Sequence, residues 1–123
     1  MSQFSVSFRS HDGVEIFYLR GELDAHTAAE LEAAFERSLQ EGRYRIVVNC
    51  AELSYISSAG LGVFMAYVET VRAQGGDIKF CHMSPKIYNI FDLLGFPLVY
   101  EIVPTEAEAV ARFARHAETP RPE

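Results

Sequence analysis

A chain of 123 residues fits one domain and buries about two-thirds of its unfolded surface on folding, enough for a real core. Its composition, 49% hydrophobic and 23% charged, is that of a globular protein, and no apolar stretch approaches the ~20 residues that cross a bilayer. A net charge of −6 without any Lys/Arg cluster excludes a tracker of nucleic-acid phosphates. The opening Met-Ser-Gln-Phe-Ser-Val-Ser has neither the basic nor the apolar region of a secretion signal, so a cytoplasmic protein is expected, with neither nucleic acid nor membrane as partner.

Phe4-Ser-Val-Ser-Phe-Arg9 alternates apolar and polar residues, as a half-buried strand does. His11-Asp-Gly13 signals a turn and Val14 to Leu19 a second strand, so the chain opens with a hairpin. Gly21-Glu-Leu-Asp24 reads as a strand exit. Thr27-Ala-Ala-Glu30 fits a capping box ahead of a helix whose apolar face is Leu31, Ala34, Phe35 and Leu39, closed by Glu41-Gly42. Arg45 to Cys50 is a third strand. A serine-bearing turn follows, then a helix running to about Gln74 that Gly75-Gly76 stops. Asp77 to Cys81 is a fourth strand, and Ser84-Pro85 caps and starts a helix with Ile87, Ile90, Phe91 and Leu94 on its apolar face. Leu98 to Val103 reads as a fifth strand. Thr105 and Glu108 frame a second capping box, before a last helix carrying Val110 and Phe113 inward. Residues 118–123 read as a frayed tail beyond a single domain over 1–117.

Strands alternating with helices imply right-handed crossovers and a mixed, mainly parallel five-stranded sheet, with the first strand antiparallel at its edge. Glu15 and Lys79 place polar residues at alternate strand positions, so the helices of this α/β fold are expected chiefly on one face of the sheet.

The most informative segment is Leu53-Ser-Tyr-Ile-Ser-Ser-Ala-Gly-Leu-Gly-Val-Phe-Met65. It sets Ser57 and Ser58 where a strand gives way to a helix, at the end whose N–H groups lack intrahelical partners. Such an end accepts an anion or carries a phosphate, although a serine there also serves as an ordinary helix cap. Gly60 and Gly62 each cost about 1 kcal/mol in a helix, which points to close approach by a strand or a partner protein. Cys50 and Cys81 have no metal or redox spacing and read as small buried hydrophobes; His11, His26, His82 and His116 have no ligand spacing, so neither a metal nor a cofactor is called for.

Gly21-Glu-Leu-Asp-Ala-His-Thr27, Arg45-Ile-Val-Val-Asn-Cys50, Tyr55-Ile-Ser-Ser-Ala-Gly-Leu-Gly62, Gly75-Gly76-Asp77 and Phe91-Asp-Leu-Leu-Gly95 resemble, in this order, the signatures of the bacterial STAS domain, with the anti-sigma factor antagonists as the most similar subgroup. The resemblance covers residues 4 to 115 and implies partner switching. The unphosphorylated antagonist binds an anti-sigma factor that is also a serine kinase; phosphorylation of a serine, here Ser58, ends the binding, and a phosphatase resets it. The family's usual Asp-Ser-Ser/Thr-Gly-Leu-Gly string has Ser57 in place of its Asp and Ala59 after the phosphosite, which leaves Ser57 as the alternative site. Asp24 matches the family's Glu-Leu-Asp motif, as a partner contact or as a cap of the following helix. The partner surface is expected around Asp24, Ser57, Ser58 and Gly60 and along Gly62, Ala66 and Glu69, because Leu61, Phe64, Met65 and Val68 are claimed by the core.

Two other functions compete. A serine hydrolase would need Gly-x-Ser-x-Gly, and Ile56-Ser-Ser-Ala-Gly60 lacks the first glycine, with His82 the one tempting base; a binding protein rather than an enzyme is expected. A scaffold subunit of a sensing or transport complex, never phosphorylated, is the second.

Overall fold

The computed structural model describes residues 3–118. Strands β1 (Phe4–His11), β2 (Val14–Leu23), β3 (Arg45–Ile56), β4 (Asp77–Cys81) and β5 (Ile102–Val103) form one sheet in chain order, with β1 antiparallel to β2 and the other pairs parallel. Helices α1 (Ala28–Gln40), α2 (Ser58–Ala73), α3 (Pro85–Leu93) and α4 (Glu106–Glu118) follow β2, β3, β4 and β5. The hairpin forms as the sequence predicts, in register from His11↔Val14 to Phe4↔Gly21. Of the expected tail, residue 118 ends α4, and 119–123 lie outside the described residues.

Helices α1, α2 and α3 pack one face through edge-to-face and tilted aromatic contacts. Ring centroids are 5.1 Å apart for Phe17–Phe35, 6.0 Å for Phe35–Phe64, 4.9 Å for Phe64–Phe80 and 5.1 Å for Phe80–Phe91. The opposite face has a smaller core, in which Ala109, Val110 and Phe113 of α4 cover Val14, Ile16, Val47, Cys81 and Val103. The helices therefore do lie chiefly on one face, but Glu15 and Lys79 do not mark a solvated one. Both are buried, and both are ion-paired, because a buried charge is tolerated only when matched. Glu15 accepts from Arg37 at 2.6 Å, Arg43 at 3.2 Å and Ser10 at 2.8 Å. Lys79 donates to Asp77 at 3.2 Å and to Glu101, with its ammonium 4.7 Å from the centre of the Phe113 ring.

The fifth strand is shorter than expected. Gly95, at φ 75°, ends α3 in the left-handed conformation, and residues Phe96–Leu98 coil into a 3₁₀ turn that leaves only Ile102 and Val103 to pair with β4. Leu94, expected in the core, is 58% exposed. The other major difference lies in β3, which continues through Leu53–Ile56 where a turn was expected.

Candidate partner-binding surface

β4 stops opposite Asn49, while β3 runs on to Ile56 against the end of β2. Two register shifts interrupt the β2–β3 pairing along this extension, each with one extra residue in β3. At one of them Gly21, φ 100°, lies so close to β1 that an added Cβ would sit 1.8 Å from the Gln3 carbonyl oxygen. The overshoot carries the start of α2 beyond the end of β4. The Ser57 amide donates to the Leu23 carbonyl at 2.9 Å, tying that start to the end of β2.

Ser57, not Ser58, is the cap of α2. Its backbone is extended (φ −102°, ψ 174°) and its Oγ accepts from the Gly60 amide at 3.4 Å, a long bond. The hydroxyl thus fills the cap position. Ser58 is the first helical residue; it is exposed, and its hydroxyl makes no hydrogen bond among the described residues. The first turn of α2 holds no carboxylate, so the positive end of the helix is uncompensated there.

The two glycines separate. A Cβ on Gly60 would meet Leu23 Cγ at 2.7 Å and Ile56 Cγ1 at 3.1 Å, so Gly60 is spent on packing inside the domain and is buried, removed from the surface set. Gly62 has nothing within 4 Å of a would-be Cβ. It lies in open space on a stripe with Ser58, Met65, Ala66 and Glu69, all exposed. Met65 corrects the expected core face: it is 60% exposed. The buried arc of α2 runs through Gly60, Leu61, Val63, Phe64, Val68 and Val71, and at 100° per residue Met65 falls about 110° from its centre. The fit of Gly60 against Leu23 turns the arc toward Val63. Sequence reasoning also passed over Tyr55, 42% exposed on the β3 extension and opposite Glu22 in register. A period of two continued past Cys50 fails here, because the register shifts leave Leu53 and Ile56 buried at a spacing of three.

Asp24 is half-buried, and its Oδ1 accepts from the amides of His26 at 2.9 Å and Thr27 at 3.2 Å. Thr27 therefore does not form the expected capping box. Its Oγ1 accepts from the Asp24 amide and donates to the Glu22 carbonyl, each at 2.9 Å, so the hydroxyl is spent on the turn before the helix starts. His82 offers no base to Ser58: its Nε2 accepts from the Glu106 amide at 3.2 Å, at the head of α4. Both thiols are buried, and burial raises their pKa values, that of Cys81 to about 12, so neither is a ready thiolate.

The extension, the capped turn and the exposed stripe together make one candidate surface on a small α/β domain. The STAS domain profile matches residues 5–109, and the chain belongs to that family. An anti-sigma-B factor antagonist of Staphylococcus epidermidis is 33% identical over 86 residues, which cover 70% of this chain and 80% of that protein. An anti-sigma factor antagonist from Mycobacterium paratuberculosis superposes with a TM-score of 0.83 at 22% identity, over 91% of this chain and 95% of the other. The phosphorylated form of the Bacillus cell-fate determinant SpoIIAA superposes with a TM-score of 0.68 at 24% identity, over 89% and 98% of the two chains. At these identities the two structural likenesses describe the fold.

Proposed function

We propose that this protein is an anti-sigma factor antagonist whose binding is switched at Ser58. Unphosphorylated, it binds an anti-sigma factor with serine kinase activity through the stripe from Ser58 to Glu69, flanked by Tyr55, Ser57 and Asp24. Phosphorylation of Ser58 releases it, and a serine phosphatase restores it. The observation that carries this reading is the state of the Ser58 hydroxyl: exposed, unbonded, and at the first position of a helix with no carboxylate in its first turn. Ser57, the alternative site, has its hydroxyl engaged in the cap. A phosphate adds about −1.5 to −2 charges and three acceptor oxygens. The helix end tolerates that charge within the domain, whereas a partner seated on the stripe must desolvate it. The names of the relatives support the antagonist role.

Calorimetric titration of wild type, Ser58→Ala and Ser58→Asp against the same kinase partner, with intact masses recorded after ATP, tests the reading. Ser58→Ala should bind like wild type and take up no phosphate, and Ser58→Asp should bind at least about tenfold more weakly. Equal affinities for Ser58→Asp and wild type, with no phosphate gained by wild type, would overturn the switch and favour a scaffold subunit.

A further inference from the structure

The stripe from Ser58 to Glu69 has a charged margin to which the switch assigns no role. Glu69 closes the stripe itself, and on α1 Glu32 and Glu36 stand one helical turn apart on the same exposed flank. The Tyr67 hydroxyl ties that flank to α2 by donating to Glu36 Oε2 at 2.6 Å. Burial of the phenol, its bond to Glu36 and the charges of Glu36 and Glu32 push the Tyr67 pKa up to about 12. Glu22, opposite Tyr55 in register, adds a fourth carboxylate at the β3 extension. All four are exposed, and none is ion-paired among the described residues.

The cations of the same elements are held elsewhere. Arg37, the only one in α1, pairs with Glu15 at 2.6 Å and Glu41 at 3.2 Å. Arg72, the only one in α2, pairs with Asp77 at 2.8 Å and donates to the Val99 carbonyl at 2.6 Å. Arg20 of β2 pairs with Glu52 at 3.4 Å, and α3 carries Lys86 and Asp92, which cancel. The margin therefore stays acidic. It makes no site of its own; it borders one. Charges at the rim of an interface set the association rate and its salt dependence, whereas desolvated groups at the centre set dissociation. A phosphate on Ser58 adds charge of the sign the margin already carries, so it cannot turn away a partner which that margin attracts. Resting on the antagonist reading above, we propose that Glu22, Glu32, Glu36 and Glu69 guide a basic docking face of the anti-sigma factor onto the α2 stripe. The switch at Ser58 then raises the dissociation rate without lowering the association rate.

Stopped-flow binding to the kinase of the calorimetric titration, from about 20 to 500 mM NaCl, tests this. The proteins are wild type, the triple variant Glu32→Gln/Glu36→Gln/Glu69→Gln and Ser58→Asp. Glutamine keeps the side-chain shape and an acceptor for the Tyr67 hydroxyl. Wild type should associate at least about tenfold more slowly at the high-salt end. At the low-salt end the triple variant should associate at least about fivefold more slowly than wild type and dissociate within about twofold of it. Ser58→Asp should associate as fast as wild type or faster, and dissociate at least about tenfold faster. Wild-type association that changes less than about twofold with salt overturns the guiding role, even where the titration upholds the switch. So does a triple variant that matches wild type at low salt. Slower association as the source of weak Ser58→Asp binding overturns it too, because the opposing face would then not be basic. Ser58→Asp matching wild type in both rates overturns the switch alone and leaves the guiding role standing on the salt and triple-variant results. A kinase that binds wild type at no salt concentration overturns both.

Discussion

Two strand-to-helix turns stand side by side where β2 and β3 end, joined by the Leu23↔Ile56 pairing and the bond from the Ser57 amide to the Leu23 carbonyl. Each carries two small polar side chains, and they spend them differently. In the turn before α1, Asp24 and Thr27 are both consumed: Asp24 accepts from two amides, and Thr27 both donates and accepts within the turn. In the turn before α2, Ser57 alone is consumed by the cap, and Ser58 is left over. A polar residue at a helix start is ordinary. A hydroxyl there that the domain does not use is what separates the second turn from the first and makes it the candidate for the proposed switch.

The largest expected effect lies in the two glycines beside the second turn. Gly62→Arg should weaken partner binding by at least about 100-fold, since a bulky cation would fill the centre of the stripe, while stability holds or rises by up to about 1 kcal/mol as a helix-poor residue is replaced. Gly60→Val should do the reverse, losing about 1–3 kcal/mol in urea denaturation through overpacking against Leu23 and Ile56. If Gly62→Arg binds normally, the interface lies off this stripe and the contrast between the turns loses its functional meaning.

The hydroxyls themselves sharpen the contrast. Thr27→Ala should cost about 1–2 kcal/mol by leaving a turn amide and a carbonyl unmatched, whereas Ser58→Ala should stay within about 0.5 kcal/mol of wild type. Ser57→Ala should fall between them at about 0.5–1 kcal/mol, because its cap bond is long. Equal losses at Thr27 and Ser58 would show that the Ser58 hydroxyl is structural after all. The order can be read from chemical denaturation of the three variants under one set of conditions.

The smallest effect serves as a control away from both turns. Hydrogen bonding from Lys79, joined by Arg112, holds the Glu101 carboxyl below the ordinary carboxylate range. A depressed folded-state pKa contributes stability that is present above the unfolded value of about 4.3 and is lost as pH falls through the folded value. The stability difference between wild type and Glu101→Gln should therefore be constant from neutral pH down to about 5 and shrink below about 4.3. It should be modest, since Glu101 is 41% exposed and screened by solvent. A difference that grows on acidification would reverse the assigned sign.

What the sequence determined by itself were the features written in a few adjacent residues. The hairpin, the limits of β4, the Ser84 cap ahead of Pro85 and the bond from the Glu108 amide to Thr105 all follow from local turn and cap chemistry, and all are present. So is the exposure of Ser58, Gly62, Ala66 and Glu69 along one face of α2. Tertiary structure decided whatever depends on a distant partner. Leu53–Ile56 becomes strand because the end of β2 pairs with it, and Leu98–Val103 is mostly not strand because Phe96 and Tyr100 turn into the aromatic core first. Thr27 loses its cap role to Glu22 and Asp24, and Met65 rotates out when Gly60 seats against Leu23. Glu15 and Lys79 read as solvent-facing because an isolated charge avoids the interior, and only the fold brings Arg37 and Arg43 to Glu15 and Glu101 to Lys79. Periodicity reports how polar a position is, but not which neighbours will satisfy it; that depends on which strands and helices come together.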